Sequence, residues 1–483
     1  MTKRREFIRK GLLGSAGIAF GGLSVRSGNT SSFFEYPEHC PGIPLVKPVV
    51  EAEEVVYQYL PADNGAGPMW CSGSTSIVRI GKEVFASGLE TIPDRKPLNN
   101  CRWMLFERSK KGWEKKLEDK EGRTREPGPM ATFHDGRFFL SVNPTLTTLD
   151  TYNGPSRPEI LQFKKSGEKL KYEKILPVWS GNPPFTEHSY RSFAADGKSG
   201  ELILLQNIDY THAEWAFLDS KGKWSAQGKL EWPFGAEYEE PESIRVCYPN
   251  VMLKNRAVYF CGVSDIIEPN KQWRKFKRDL TGKEWDYDFR RLFFTWSDDI
   301  TTGKFHSWVE IASREKICGW IFPSDLWVSP DGSVHILWTE RALDERLREK
   351  FFPEARQSHA LNYAILRDGK VELRRTLEIA EEGGSELKPG PGRFHITPEN
   401  RLFVVYFIEG TDASGKSVAE NRLLEIIPGG IPGTHVVLPL KQPFSSFFTA
   451  TVRAGSKPSE VLDMFGIAEG TKNAISYARI RLW

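Results

Sequence analysis

The segment FTEHSYRSF (Phe185–Phe193) places His188, Tyr190 and Arg191 within four consecutive positions, directly before an apolar run. An imidazole takes up a proton near neutral pH, a phenol donates one, and a guanidinium pairs with a carboxylate. Such a set suits removal of the proton beside a uronate carboxylate, followed by loss of the linked sugar. Because side chains alternate along a strand, the three act together only if the strand begins after Tyr190.

Residues of the same types precede other apolar runs of the chain. The candidate catalytic residues are His188, Tyr190, Arg191 and Tyr248, and the candidate substrate-binding residues are Trp70, Arg245, Asn250, Asp325, Arg393 and His395. Arginines 191, 245 or 393 pair with the substrate carboxylate, and Asn250 helps to neutralise it. Each also has a structural interpretation: the histidines as hydrogen-bonding groups, Tyr248 as a packing aromatic, and Arg245 and Arg393 as partners in buried ion pairs.

A second set of polar residues follows the next strand of each unit. Its members are Glu90, Asn143, Asn207, Asp265, Glu340 and Glu409. Two carboxylates facing one sugar are the acid and base, or acid and nucleophile, of a glycoside hydrolase. Glu90, Asp265, Asp325, Glu340 or Glu409 supply such a pair in the alternative interpretation.

The elements that must position these residues recur along the chain about every 60 residues, as a polar entry, an apolar strand, a tight turn and a second strand. The seven turns are marked by Gly81, Asp135, Asp196, Asn255, Asp331, Asn400 and Gly455. Further strand patterns such as CRWMLFER and GWEKKLE complete four strands per unit. The sequence therefore predicts an all-β, seven-bladed β-propeller over residues 47–483, with a series of β-sandwiches as the structural alternative.

The ends of the chain predict how the ring closes. The last unit supplies only three strands, and EEVVYQYL near the start has no partners of its own, so this early strand is expected to complete the last blade. Two long insertions, NKQWRKFKRDLTGKEW and ERALDERLREKFFPEARQ, follow second strands. Both are expected to wall the face that carries the strand entries.

The insertions are rich in basic residues, which would form a rim attracting a polyanion, or the exposed face of a solvated helix. These residues are Arg274, Lys275, Lys277, Arg278, Arg341, Arg346, Arg348 and Lys350.

The N-terminal segment carries Arg4 and Arg5 before an uncharged run from Gly11 to Val25. This order is typical of a twin-arginine export signal, here assigned to residues 1–26, with a linker at 27–46. The run is too short and glycine-rich for a stable membrane span. We therefore expect export by the twin-arginine translocon to the periplasm or beyond.

The overall charge gives no indication of nucleic acid, and no nucleic-acid partner is expected, although local basic patches can still matter. The chain has a formal net charge of +3, but the basic residues of the signal outweigh its single glutamate, so the remainder is slightly acidic. Six cysteines lie far apart, with neither a CxxC pair nor an HExxH motif, and no cofactor is expected. A structural calcium or zinc ion stays open.

The HSYR cluster, the arginines at strand entries and the blade pattern resemble the BNR-type propellers among carbohydrate-active enzymes. They are similar in particular to seven-bladed polysaccharide lyases acting on ulvan and on rhamnose–glucuronate linkages, and a related family of α-L-rhamnosidases shares the fold. The resemblance implies a site on one face, formed here by His188, Tyr190, Arg191, Arg245 and Tyr248. The segment SPDGSVHILW only partly matches the aspartate box of sialidases.

Three functions are weighed on this basis. The first is an exported lyase acting by β-elimination on an anionic, uronate-containing polysaccharide or oligosaccharide. The second is an exo-acting glycoside hydrolase of rhamnosidase-like or sialidase-like type. The third is a propeller that binds a glycan or a protein without turnover.

Overall fold

The computed structural model describes residues 46–96, 98–148, 151–167, 169–283 and 285–482. The predicted export signal, Cys40 and nearly all of the predicted linker lie outside these described residues.

Thirty-two strands are present in the described part of the chain, most of them in four-stranded antiparallel sheets. In chain order they are β1 Val49–Gln58, β2 Ile77–Ile80, β3 Glu83–Thr91, β4 Cys101–Ser109, β5 Gly112–Glu118, β6 Met130–Thr132, β7 Phe138–Val142, β8 Glu159–Ser166, β9 Lys169–Ile175, β10 Arg191–Asp196, β11 Glu201–Ile208, β12 His212–Leu218, β13 Trp224–Glu231, β14 Phe234–Gly235, β15 Glu242–Ser243, β16 Val246–Lys254, β17 Ala257–Ser264, β18 Ile266–Ile267, β19 Tyr287–Asp288, β20 Arg291–Ser297, β21 Val309–Ser313, β22 Trp320–Val328, β23 Val334–Arg341, β24 Ser358–Arg367, β25 Lys370–Glu381, β26 Lys388–Ile396, β27 Leu402–Thr411, β28 Ser417–Ile427, β29 Ile431–Val437, β30 Phe444–Thr449, β31 Val461–Ala468 and β32 Ala474–Arg481. Two α-helices, α1 Lys271–Thr281 and α2 Glu345–Phe351, and short 3₁₀ helices at Ile300–Thr302, Glu315–Ile317 and Val452–Ala454 join them.

The sheets form the seven blades of a β-propeller, as the repeat predicts. Blades 1 to 7 are β2–β5, β6–β9, β10–β13, β16–β17–β20–β21, β22–β25, β26–β29 and β30–β31–β32–β1. The first strands β2, β6, β10, β16, β22, β26 and β30 each contact the next, and β30 contacts β2, so they form a closed inner ring.

The hydrophobic core lies between neighbouring blades. One apolar cluster joins blades 3 and 4, another joins blades 4, 5 and 6, and others join blades 6 and 7 and blades 7 and 1. A strand covered on both faces reads as a continuous apolar run, and β11, ELILLQNI, is buried throughout. The outer strand β9, KLKYEKI, is mostly exposed.

The last blade closes through the start of the chain. Strand β1 pairs antiparallel with β32, from Val49 opposite Arg481 to Gln58 opposite Ala474. Glu51 forms ion pairs with Arg479 and Arg481 across this junction. The predicted closure by an N-terminal strand is confirmed.

The two insertions lie between the second and third strands of blades 4 and 5, as predicted. Helix α1 packs against α2, with the rings of Trp273 and Phe352 5.5 Å apart and those of Phe276 and Phe351 5.5 Å apart. An Asn270 side chain caps the start of α1 by accepting hydrogen bonds from two backbone N–H groups. Both helices lie on the face where the first strands begin, which we call the entry face.

The segment between β30 and β31, which we call the plug, enters the central channel from the face opposite the entry face and fills it. The 3₁₀ helix Val452–Ala454 lies between β30 and β31, and Arg453 is 3% exposed. Its guanidinium donates to Asp325 Oδ1 at 2.7 Å, to Asn250 Oδ1 at 3.1 Å and to the Gly73 carbonyl at 3.0 Å. One arginine thus joins blades 4, 5 and 7 to the loop before blade 1.

Candidate active site on the entry face

The entry face brings together residues from the starts of several first strands. Strand β10 begins at Arg191, so Tyr190 precedes it and is outside the alternation. This meets the condition under which His188, Tyr190 and Arg191 can serve one site. The His188 and Tyr190 rings are 5.8 Å apart, and both are half-buried, whereas Arg191 is buried.

His188 is held by a buried carboxylate from the neighbouring blade entry. Its Nδ1 lies 2.7 Å from Oε1 of Glu126, which precedes β6, and the same oxygen accepts from the Ser189 N–H at 3.0 Å. Burial lowers the pKa of His188, and Arg125 adds to this effect, while the hydrogen bond to Glu126 opposes it. The imidazole is therefore neutral at pH 7, with Nδ1–H donated to Glu126 and the lone pair on Nε2.

Arg191 supports this pair from behind. Its Nη1 donates to the Ser141 carbonyl at 3.1 Å and its Nη2 to the Pro127 carbonyl at 2.9 Å. Its Nε lies 3.9 Å from Glu126 Oε2. The guanidinium thus fixes the backbone beside Glu126 and compensates its buried charge.

Tyr248 is presented by a distortion of β16. The pairing of β16 with β17 shifts between Cys247 and Asn250, and Tyr248 has a φ of +50°. The left-handed backbone is uncommon for a bulky residue, and here the bulge turns its ring onto the entry face. A Cβ on Gly73 would lie 2.1 Å from the Pro249 carbonyl oxygen, so only glycine fits against the bulge.

Arg245 and Asp265 form a second charged pair at the mouth. Arg245 Nη2 donates to Asp265 Oδ2 at 2.6 Å, and its guanidinium stacks 3.8 Å from the Tyr210 ring centroid. Burial acts to lower the pKa of Arg245, but Asp265 raises it overall. Burial, with Asp265 nearby, raises the pKa of Tyr190 well above its ordinary value and also raises that of Tyr248. Both phenols keep their protons at neutral pH.

Aromatic rings form the floor of the site. Trp70, in the loop before blade 1, lies 5.4 Å from the His188 ring, 5.9 Å from Tyr190 and 5.9 Å from Tyr248. Phe322 of blade 5 lies 5.0 Å from Tyr248. The predicted residues Trp70, His188, Tyr190, Arg245 and Tyr248 thus share one site.

Four predicted residues do not reach this site. Asn250, Asp325 and Arg393 lie halfway along first strands and are buried at the axis, where the first two bind Arg453. Arg393 donates to the Phe447 carbonyl at 3.1 Å and to the Ser324 carbonyl, and burial lowers its pKa to about 10.

Asn250, Asp325, Arg393 and His395, which the sequence predicts as substrate-binding residues, therefore do not lie at the mouth. The register is right, but a first strand runs the depth of the ring, so only its first residues face the mouth. His395 lies beside the β26–β27 turn on the opposite face, with Nε2 2.8 Å from the Ser459 carbonyl.

The carboxylates of the alternative mechanism are also engaged. Ion pairs join Glu90 to Arg102, Asp265 to Arg245, Asp325 to Arg453 and Glu340 to Arg314. The structure therefore offers no support for two uncommitted carboxylates from this set.

Four of the eight basic residues predicted to form a rim on the insertions are paired with carboxylates. Lys277 Nζ lies 2.6 Å from both Glu268 and Asp286, and Lys275 lies 2.5 Å from Asp279. Arg346 pairs with Asp344 and Arg348 with Glu382. These four charges are balanced within the protein, so they give little attraction for a polyanion.

In the described residues, no group of three or more His, Cys, Asp or Glu side chains is arranged to hold a metal ion. No helix there is long and apolar enough to cross a membrane. The cysteines 71, 101, 247, 261 and 318 are all buried and free.

Sequence reasoning missed Glu126 and two of the aromatic rings. Glu126 lies two residues before GPMATF, the start of the second repeat, so extending each repeat upstream by a few residues would have found it. Phe322 and Trp320 lie in the entry of blade 5 but read as ordinary strand residues. Arg453 lies just before Gly455, the marker of the last turn, and nothing in its local pattern indicates that it fills the central channel.

Neither a protein-family model nor a curated protein sequence matches the chain. Among solved structures, the chain is similar to an α-L-arabinanase of Penicillium chrysogenum complexed with arabinobiose, at 11% identity and a TM-score of 0.39, over 73% of this chain and 92% of that one. It is also similar to an α-L-arabinofuranosidase of Fusarium graminearum in complex with an iminosugar inhibitor, at 11% identity and a TM-score of 0.40, over 73% of this chain and 91% of that one.

A puromycin-hydrolysing peptidase of Mycobacterium tuberculosis matches at 11% identity and a TM-score of 0.42, over 87% of this chain and 54% of that one. These identities and TM-scores carry no inference about the chemistry of this chain. The propeller assignment stands on the strand topology, and any activity must be argued from the site itself.

Proposed function

We propose that the protein is a carbohydrate-active hydrolase that cleaves a neutral glycan on the entry face, with His188 as general base. The observation that carries this proposal is the 2.7 Å contact between His188 and buried Glu126 beside an aromatic floor. A carboxylate that holds a neutral imidazole in one tautomer is the arrangement of a general base, and aromatic rings with convergent polar groups are typical of a ligand site.

Each residue has a defined part in this chemistry. Water attacks the anomeric carbon while Nε2 of His188 takes its proton, and the glycosidic bond breaks. Tyr190 or Tyr248 supplies a proton to the leaving oxygen. Their raised pKa makes them weak acids, so this transfer accompanies the charge that develops on that oxygen. The proton on His188 then returns to solvent and the tyrosinate takes one from solvent, which restores both groups.

The arginines favour a neutral substrate over a uronate. β-Elimination needs the substrate carboxylate to be neutralised, and the three arginines predicted for this part are already engaged. Arg191 and Arg393 are buried and bonded to carbonyl groups, and Arg245 is bonded to Asp265 at 2.6 Å. Displacing Asp265 would leave a buried carboxylate unpaired, which is costly.

The test is incubation of the purified chain with panels of neutral and uronate-containing glycans, with reducing ends and near-ultraviolet absorbance recorded together. Hydrolysis releases reducing ends without the absorbance of an unsaturated uronate. A rise in both signals would replace hydrolysis by elimination. Silence in both would favour a propeller that only binds.

Variants connect the activity to the site. His188→Ala is expected to lower kcat by about 10²–10⁴-fold, the usual contribution of a general base. The matched control is His306→Ala, because His306 also pairs with a carboxylate, Asp298, at 2.7 Å, but lies near the end of β20 away from the entry face. Equal activity losses in both variants would remove His188 from the mechanism.

We also propose that residues 1–26 direct export of the folded chain to the periplasm or beyond. The support is the order of Arg4 and Arg5 before the uncharged run. Changing both arginines to lysine should retain the protein in the cytoplasm of a bacterial host, as measured by fractionation. Export unaffected by this change would contradict a twin-arginine signal.

A further inference from the structure

The aromatic floor continues beyond the catalytic residues as a strip of rings. Successive ring centroids are 5.9 Å apart from Trp70 to Tyr190, 5.0 Å from Tyr190 to Tyr248, 5.0 Å from Tyr248 to Phe322 and 5.5 Å from Phe322 to Trp320. All five side chains are half-buried. We call this set the aromatic strip.

The strip is assembled from elements that are distant in sequence. It takes one residue from the loop before blade 1, one from the entry of blade 3, one from the bulge of blade 4 and two from the start of β22. Large aromatic rings contribute most when they are fully buried, so a continuous, partly exposed row of them points to a ligand surface. The left-handed backbone of Tyr248 is a further sign, because strain of this kind collects at functional sites.

The chemistry along the strip fits a neutral, hydroxyl-rich ligand. Arg245, the cation beside Tyr190, is paired with Asp265, so it adds no net charge. The tyrosine hydroxyls offer hydrogen bonds while the exposed parts of the rings offer apolar area. A sugar ring presents both apolar C–H faces and hydroxyl edges, and the spacing of the rings is comparable with the length of one sugar residue.

The catalytic dyad lies at one end of this row. The ring contacts of His188 are with Trp70 and Tyr190, and Phe322 and Trp320 lie further along. We propose that the aromatic strip binds an extended neutral oligosaccharide, whose cleaved bond lies at the Trp70 end and whose remaining sugars stack over Tyr248, Phe322 and Trp320. This inference rests on the proposed function and assigns its substrate as a chain longer than a disaccharide.

The test measures binding without turnover. The full chain carrying His188→Ala is titrated calorimetrically with linear arabino-, xylo- and cello-oligosaccharides from disaccharide to hexasaccharide. Affinity for at least one series should rise with chain length. Adding Trp320→Ala or Phe322→Ala should weaken the hexasaccharide about tenfold and leave the disaccharide unchanged, as expected for loss of one stacking partner.

The matched control is Trp296→Ala, because Trp296 is half-buried and stacks on His306 near the end of β20, away from the entry face. Thermal unfolding of each variant is measured to check that it is folded. Three results would contradict oligosaccharide binding along the aromatic strip. They are an affinity that does not depend on chain length, an equal loss of affinity in the Trp296 control, and no binding of any series. Length-dependent binding with no cleavage by the unmodified chain would contradict the proposed hydrolase activity. It would still support the aromatic strip as a binding surface.

Discussion

The pairing of His188 with Glu126 sets the protonation state on which the proposed chemistry depends. Burial and Arg125 lower the pKa of His188, while Glu126 acts to raise it. The net lowering keeps the imidazole neutral at pH 7, ready to accept a proton. The same carboxylate fixes the ring, so its loss should affect both the position and the basicity of the base.

The pH dependence tests this balance directly. The acid limb of kcat/KM should fall below pH 6.5, the ordinary pKa of histidine, because the folded pKa is lowered. Glu126→Gln should move that limb to lower pH, since the carboxylate that raises the pKa is gone, and should reduce the plateau. A limb that stays in place, or moves to higher pH, would remove Glu126 as the partner of His188.

His395 gives a second pH effect, on stability. Burial lowers its pKa to about 4, so the unfolded chain binds a proton near pH 6.5 that the folded protein does not. The contribution of His395 to the free energy of unfolding is therefore fully present above about pH 6.5. It is lost as the pH falls towards 4, and the loss amounts to about 3 kcal/mol.

His395→Gln tests this effect, because the amide still donates to the Ser459 carbonyl but does not titrate. Its free energy of unfolding, measured in urea between neutral pH and pH 4, should depend less steeply on pH than that of the unmodified chain. Parallel curves would show that other groups carry the acid sensitivity.

At the scale of elements, the bulge in β16 is the device that builds the mouth. A regular strand would place Tyr248 in the alternation with Cys247, whereas the bulge turns it towards Tyr190 and Phe322. The bulge is held from two sides, by Gly73 in van der Waals contact and by Ser192, whose hydroxyl donates to the Pro249 carbonyl at 3.1 Å. Stability and site geometry are therefore coupled at this contact.

Gly73→Ala should disturb the bulge, because the new methyl group would lie 2.1 Å from the Pro249 oxygen. We expect a loss of about 1–3 kcal/mol in the free energy of unfolding, together with a raised KM from the displaced Tyr248 ring. Gly67→Ala is the control, since a Cβ there meets nothing within 4 Å. Similar unfolding and kinetic values for both variants would contradict a tight contact at Gly73.

At the scale of the whole molecule, the ring is tied at two places. The pairing of β1 with β32 closes its circumference, and Arg453 joins its blades at the axis. A buried charge pair adds little net stability by itself, but removing one partner leaves the other unpaired. The axis is therefore more sensitive to single substitutions than its size suggests.

Arg453→Met should lower the free energy of unfolding by about 3–5 kcal/mol, because Asp325 keeps its buried charge but loses the guanidinium that donates to it. Adding Asp325→Asn should recover part of this loss, since the amide oxygen can still accept from the Phe394 N–H. Chemical denaturation of the single and double variants measures both effects. A double variant that is no more stable than Arg453→Met would show that charge is not the cause.

Much of the fold could be predicted from sequence because propeller blades are local. Hairpins such as β4–β5 follow from CRWMLFER and GWEKKLE, and six of the seven turns follow from glycine, asparagine and aspartate at fixed places. The seventh connection is the longer segment that carries Arg453. The unpaired strand EEVVYQYL predicted the closure of the ring. These features depend on alternation and turn chemistry over short distances, which one segment already contains.

The site depends on contacts between segments that no local pattern reveals. The sequence by itself determined the blades, their order and the presence of His188, Tyr190, Arg245 and Tyr248 at strand entries. Only the tertiary structure decided that Glu126 holds His188, that Arg393 and Asp325 lie buried at the axis, and that aromatic rings from four separate places form one strip. The physical reason is that a side chain faces the mouth only if its residue lies near the start of a first strand. The place of that strand in the chain does not decide this.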